Sequence, residues 1–205
     1  MIGNMMKDNG DKAYNKKPEV QECSDANNLD TVKNRFGIVF DQNLDNDKVE
    51  RVTDGVEDIT LVPYNDSYQQ RVFDFTDKCF EELGKKFEPS GRHGFYKNID
   101  DNFVAFYCLL DQEKLIGTVA LKKIDEKTVE LKAMYLDQSY RGKGLGRKLM
   151  NKVIDEAKRL GYKSIVLDSM SQYKSALKLY EKTGFKNTER YNDNLYADVF
   201  MRLDL

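Results

Sequence analysis

From Asp58 onward, apolar and polar positions follow two rhythms, one of period two and one of period near 3.6. Asp58-Ile59-Thr60-Leu61-Val62 alternates and stops at Pro63, which predicts a strand. Tyr68, Val72, Phe75 and Cys79 recur at spacings of 4, 3 and 4. They predict a helix running from an N-cap at Ser67 to about Leu83, with Gly84 as its stop. Residues 85–100 contain Pro89, Gly91 and Gly94 and read as a loop. Phe103 to Leu110 is nearly all apolar, as in a strand buried on both faces. Leu115 to Ile124 and Val129 to Leu136 read as two more strands, with turns at 111–114 and 125–127. Three consecutive antiparallel strands result. A helix then begins near Gly146, turns Leu149, Met150, Val153, Ile154, Ala157 and Leu160 toward the sheet, and stops at Gly161. Ser164 to Asp168 reads as a buried strand, and Gln172 to Lys182 as a helix with Tyr173, Ala176, Leu177 and Tyr180 on one side. Phe185 to Tyr191 and Ala197 to Leu203 read as closing strands. This order predicts an α/β fold with a mixed, mostly antiparallel central sheet flanked by helices.

The first 56 residues keep neither rhythm. Residues 1–55 hold 8 Asn and 8 Asp with few apolar positions, and Asn-Gly at 9–10 and Asp-Gly at 54–55 are turn signals. A polar, partly disordered N-terminal extension is expected over residues 1–56, ahead of a folded domain over 57–205. Within it, Phe36-Gly37-Ile38-Val39-Phe40 reads as a short strand or a docking segment. A peripheral arm or a homodimer contact is the use open to the extension.

Composition narrows the partners. The 33 basic and 35 acidic residues leave a net charge of −2, against general nucleic-acid affinity. No apolar run approaches the roughly 18 residues that span a bilayer, and no h-region marks a secretory signal. Cys23, Cys79 and Cys108 are odd in number and lack metal-ligand spacing, so they read as reduced thiols of a cytoplasmic protein that uses no metal.

The chemistry concentrates in Ser139-Tyr140-Arg141-Gly142-Lys143-Gly144-Leu145-Gly146-Arg147-Lys148. The stretch joins a strand to a helix start. Its glycines let the backbone approach a ligand, and the opening N–H groups of the helix carry partial positive charge. With Arg141, Lys143, Arg147 and Lys148 beside them, these groups suit a di- or triphosphate.

Over residues 57–205 the chain resembles the GNAT superfamily of acyl-CoA-dependent N-acyltransferases. Arg141-x-x-Gly144-x-Gly146 matches that family's pyrophosphate loop, and Ala176-x-x-x-Tyr180-x-x-x-Gly184-Phe185 matches its later helix. The hairpin-built strand before the loop and Ile165-Val166-Leu167 after it complete the likeness. Tyr173 departs from it, because many members carry an Asn there that touches the CoA arm.

The resemblance implies an acetyl-CoA-dependent N-acetyltransferase acting on the primary amine of a small molecule or peptide, by direct attack in a ternary complex. It implies that the backbone of Gly142, Lys143, Gly144, Leu145, Gly146 and Arg147, with Arg141, receives the pyrophosphate. Met134, Tyr135 and Leu136 are then expected to pair with the pantetheine arm like an added strand. An N–H near Leu136 is expected to stabilise the thioester oxyanion. Tyr180 is expected to protonate the leaving thiolate, and Glu130 to act as general base where water does not. Glu130 also reads as a surface or cross-strand partner of Lys122 or Lys123, and Tyr180 as a packing residue.

Weaker candidates for the acceptor site are Arg92, His93, Phe95 and Tyr96 in the first loop, Asp168 and Ser169 at a strand end, and Tyr191. Two other classes remain open. One is a non-catalytic acyl-CoA-binding module of the same fold. The other is an ATP or GTP binder, against which the loop lacks G-x-x-x-x-G-K-[ST].

Overall fold

The computed structural model describes the chain from Ile59 to Leu205, and before it the backbone of three two-residue strands. The chain divides into two units, Met1–Leu44 and Asp45–Leu205. In the first, β1 (Val32–Lys33) pairs antiparallel with β2 (Val39–Phe40), so part of the Phe36–Phe40 run is a strand. The turn signals at 9–10 and 54–55, the expected disorder of the extension and Cys23 lie outside the described residues.

The second unit is built on one sheet. Its strands are β3 (Glu50–Arg51), β4 (Ile59–Pro63), β5 (Ala105–Asp111), β6 (Lys114–Lys123), β7 (Thr128–Leu136), β8 (Ser164–Ser169), β9 (Lys186–Asn187) and β10 (Val199–Asp204). They lie in the order β3-β4-β5-β6-β7-β8-β10-β9. Every neighbouring pair is antiparallel except β7 and β8. That exception follows from connectivity: β6 and β7 are joined by a tight turn, whereas a whole helix separates β7 from β8.

Alternation along the strands divides the core between two faces. On one, Val119, Leu121, Val129, Leu131, Ile165 and Leu167 pack against Leu149, Met150, Val153 and Ala157 of α3 (Leu145–Arg159) and against Tyr180 of α4 (Lys174–Thr183). On the other, Phe106, Cys108 and Ala120 pack against Val72, Phe75, Cys79 and Phe80 of α1 (Gln69–Glu82). Phe87, Tyr96 and Phe103 close this second core with edge-on aromatic contacts.

Three sequence expectations change. Ser67 does not cap α1. The Asn65 carboxamide accepts the Ser67 N–H at 3.0 Å and winds residues 66–68 into a tighter turn, so α1 starts at Gln69. The stretch 85–100 is partly ordered, holding a 3-10 turn at Gly94–Tyr96 and the start of α2 (Ile99–Asn102). Finally, the expected strand Phe185–Tyr191 shortens to β9. Beyond Thr188 the side chains of Arg190, Asn192 and Asn194 bond inward, and the chain leaves the sheet to form a loop.

Candidate active site

β7 carries the site, because it changes partners and direction along its length. It pairs with β8 over Thr128–Glu130 against Ser164–Val166, and beyond that register the two strands part. On its other side the pairing with β6 slips between Thr118 and Ala120, which makes a β-bulge at Ala133 and Met134. Ala133 takes φ +51, a conformation that costs a non-glycine residue about 1–2 kcal/mol. The Thr118 hydroxyl donates to its carbonyl at 2.7 Å. Past the bulge, Asp137 N donates to Ile116 O, so that residue faces β6. By alternation the N–H and C=O of Leu136 face the opposite way, into the gap opened by β8.

The glycine loop closes one end of this gap. Gly142 and Gly144 both take φ +80, and a side chain at either would be strained. Gly144 caps α3, and its carbonyl accepts the N–H groups of Arg147 and Lys148. The N–H groups ahead of these open the helix outward. A depression of about 400 Å³ runs along the first turns of α3, lined by Gly144, Arg147, Lys148, Asn151, Lys152 and Asp155. An open, cation-lined helix start whose glycines leave backbone exposed fits a pyrophosphate and the nucleotide beyond it. Arg141 is placed differently from the phosphate-facing role expected of it. Its Nε donates to Leu136 O at 3.0 Å and its Nη2 lies 3.3 Å from Glu82, so the side chain ties the loop to the end of β7.

Asp137, at the base of the loop, accepts from Ser139 N and Oγ and pairs with Lys78 at 2.8 Å. The bonds from Lys78 and Ser139 hold its carboxyl well below the usual range. Across the gap, α4 presents Tyr180, packed on Phe185. Burial, with a smaller contribution from Asp168, pushes this phenol up to about 12. Tyr135 is raised as well, by burial first and then by Cys79, Tyr180, Tyr173 and Asp168. Cys79 and Cys108 are free and buried, and burial pushes both thiols up to about 12, so neither supplies a thiolate near neutrality.

On the α1 face, where β7 and β8 diverge, a second polar cluster forms. Glu130 is 4% exposed. Its Oε1 accepts from Lys132 at 2.8 Å, from Tyr191 Oη at 2.8 Å and from Asn192 at 3.1 Å. Lys132 reaches across the gap to Asp168 at 3.3 Å, and Asp168 also accepts from Asn192 and Asn194. Burial works to raise Asp168, but Lys132 and the two carboxamides outweigh it and keep the carboxyl below its usual range.

Glu130 therefore pairs along its own strand. Lys122 is directly opposite it in register but lies over the Phe95 ring, and Lys123 pairs with Glu126. Lys132, Asn192 and Asn194 escaped the reading of the sequence. Lys132 stands two positions after Glu130, on the same face of a strand, and that spacing was a usable signal. The asparagines had none, since they act from a loop folded back over the sheet.

The other expected acceptor residues gather on this face in part. His93 accepts from Glu88 N at 2.9 Å and stacks on Phe87; burial and the charge of Arg92 lower its pKa. Phe95 and Tyr96 belong to the aromatic core. The Arg92 guanidinium lies over Tyr196, which links the two loops flanking the cluster. Ser169 ends β8 opposite Val199. Among the described residues no helix is long and apolar enough to cross a membrane.

Residues 66–185 match the family model of the acetyltransferase (GNAT) family. The uncharacterized N-acetyltransferase YsnE of Bacillus subtilis is 33% identical over 92 residues, which are 44% of this chain and 61% of that protein. The chain thus spans less than two thirds of the length of this curated relative. Among solved structures, an acetyltransferase from Streptococcus agalactiae 2603 is 25% identical, with a TM-score of 0.66 over 73% of this chain and 99% of that one. A GNAT family acetyltransferase from Elizabethkingia anophelis, solved with acetyl-CoA bound, shares the fold at a TM-score of 0.53 and 19% identity, over 73% and 99% of the two chains. With a match covering more than half its length and the loop, split strands and tyrosine helix in place, the chain belongs to the GNAT acetyltransferase family.

Proposed function

We propose that the protein is an N-acetyltransferase that moves acetyl from acetyl-CoA to a primary amine by direct attack in a ternary complex. The observation that carries this reading is the parting of β7 from β8 after Glu130 and Val166. It turns the N–H and C=O of Leu136 toward an open slot that begins at the glycine loop. The backbone of Gly142–Arg147 receives the pyrophosphate, and Met134, Tyr135 and Leu136 flank the pantetheine arm as a missing strand neighbour. The Leu136 N–H stabilises the developing oxyanion; one such donor is typically worth about 3 kcal/mol.

Tyr180, its pKa pushed up to about 12, keeps its proton at neutral pH and delivers it to the departing thiolate. Glu130 closes the acceptor end. Held by three donors, it acts on the acceptor through its charge, and the amine loses its proton to solvent through the cleft. Every residue this reading uses lies in the unit Asp45–Leu205.

The test combines calorimetry with acetyl-CoA and a CoA-thiol release screen over amino acids, polyamines, aminoglycosides and peptide N-termini. Binding with release from at least one amine is expected. Binding without release from any of them would show a non-catalytic acyl-CoA module instead.

A further inference from the structure

Acetyl transfer as proposed leaves two polar groups beside the slot without a use. The Tyr173 hydroxyl is buried and has no hydrogen-bond partner among the described residues. Tyr173 stands at the start of α4, four residues after β8 ends, and its phenol is close enough to Tyr135 to influence that group's ionisation. Lys85 approaches the same ring from the turn after α1, where its N–H is fastened to Phe80 O at 2.8 Å. Its ammonium is 5.3 Å from the Tyr173 ring centroid and donates to Met170 Sδ at 3.3 Å. A thioether is a weak acceptor, and a ring face carries only partial negative charge. Among the described residues no carboxylate pairs with this half-buried cation.

A buried hydroxyl without a partner and a half-buried ammonium without a counter-ion, on one ring, make a two-point anion site. Two neighbouring cations are already matched, Arg92 with Glu88 at 2.9 Å and Lys132 with Glu130 and Asp168. One ammonium and one phenol suit the two oxygens of a carboxylate; a phosphate dianion calls for more positive charge. Just before Met170 lies Asp168, and there two carboxylates face a single ammonium, leaving one negative charge over. The face is thus dipolar, cation-seeking at Glu130 and Asp168 and anion-seeking at Lys85 and Tyr173.

We propose that the acceptor is an amine of the amino-acid class, whose carboxylate is received by Lys85 Nζ and Tyr173 Oη while its amine faces Asp168 and Glu130. This rests on the acetyl-transfer reading above. A peptide N-terminus or a polyamine satisfies only the cation-seeking half.

The experiment measures CoA-thiol release by the full chain at saturating acetyl-CoA. The acceptors are the common L-amino acids, their α-carboxamides, the matching decarboxylated amines and a polyamine. At least one amino acid is expected to exceed its own amide and decarboxylated amine in kcat/KM by about a hundredfold, because a site built for a polar group rejects the analogue lacking it. Lys85→Met and Tyr173→Phe should each bring that preference down by about tenfold or more, with the acetyl-CoA KM within about twofold of the parent.

A carboxylate-free acceptor that equals or betters every amino acid overturns the proposal and leaves the transferase reading standing. Variants that raise the acetyl-CoA KM and keep the preference intact overturn it too, since the two donors would then serve the co-substrate. No release from any acceptor, with acetyl-CoA bound in calorimetry, overturns the transferase reading and this proposal together.

Discussion

Thr118 and Ala133 face each other across the β6–β7 bulge, and the fully buried Thr118 hydroxyl donates to the Ala133 carbonyl at 2.7 Å. Ala133 sits at φ +51, so its peptide group cannot join the regular ladder. Without Thr118 the carbonyl would lose this buried donor. One side chain on the neighbouring strand thus stabilises a backbone kink that decides which way the following N–H groups point.

Removing that hydroxyl should affect both stability and co-substrate binding. Thr118→Val keeps the shape but takes a buried donor from the carbonyl, at a cost of about 1–3 kcal/mol in denaturant unfolding. The acetyl-CoA KM should rise severalfold as the bulge relaxes, while Thr118→Ser stays near the parent. Ala133→Gly in the Thr118→Val background should recover part of the KM, because glycine takes positive φ freely. A Thr118→Val protein with unchanged acetyl-CoA KM would reduce the contact to a packing detail.

Tyr180 is buried against Phe185, and its phenol is pushed up to about 12. Tyr180→Phe removes one oxygen and leaves the packing, so unfolding should change by no more than about 1 kcal/mol. Turnover should fall by about a hundredfold or more, the scale of a lost general acid, with the acetyl-CoA KM little changed. Since the group stays protonated across pH 7–10, the parent enzyme should show no loss of kcat from Tyr180 in that range. Undiminished kcat in steady-state assays of the Phe variant would remove Tyr180 from the chemistry.

The strand-helix order, the glycine loop and the tyrosine helix were legible because each rests on local periodicity or local backbone need. The β5–β6–β7 hairpins, the α3 face and Gly144 at φ +80 all lie within a few residues of their signals. What escaped is non-local. Nothing near Ala133 in the sequence announces that Thr118, fifteen positions earlier, will hold its carbonyl. Phe185–Tyr191 reads as a strand between two turn-rich stretches, yet Asn192 and Asn194 just beyond it find carboxylates on β7 and β8 that the pattern does not display. Arg141 matches a phosphate motif, but Leu136 O and Glu82 claim its guanidinium. Periodicity predicts which face a residue takes and is silent on which partner it meets.

Glu130 offers a test of anchor against base. Glu130→Gln keeps the shape and some of the bonds from Tyr191 and Asn192, and Lys132 retains Asp168. A stability loss of about 1–3 kcal/mol is expected from the weakened charge-assisted bonds. If Glu130 acts by charge alone, kcat should fall by less than about tenfold with the acid limb of the pH–rate profile in place. A base would cost about 100- to 10,000-fold and take that limb with it. The pH–rate profile of the Gln variant separates the two.

Asp137 gives the clearest pH signature in stability. Asp137 is 3% exposed, and its carboxyl is bonded by Lys78 and Ser139 and held well below its usual range. The unfolded chain titrates this group near 4. A depressed folded pKa means the stabilisation is fully present above that value and is lost as pH falls through the folded pKa. Asp137→Asn should therefore lower unfolding free energy by about 1–3 kcal/mol at pH 7. The gap between parent and variant should narrow steadily below pH 4 in urea titrations. Because Asp137 also caps the turn that leads into the glycine loop, acetyl-CoA should protect the parent from thermal unfolding more than the variant at pH 7. A gap that stays constant from pH 7 down to pH 2 would mean that the charge of the Asp137 carboxylate contributes nothing, through Lys78 or through Ser139.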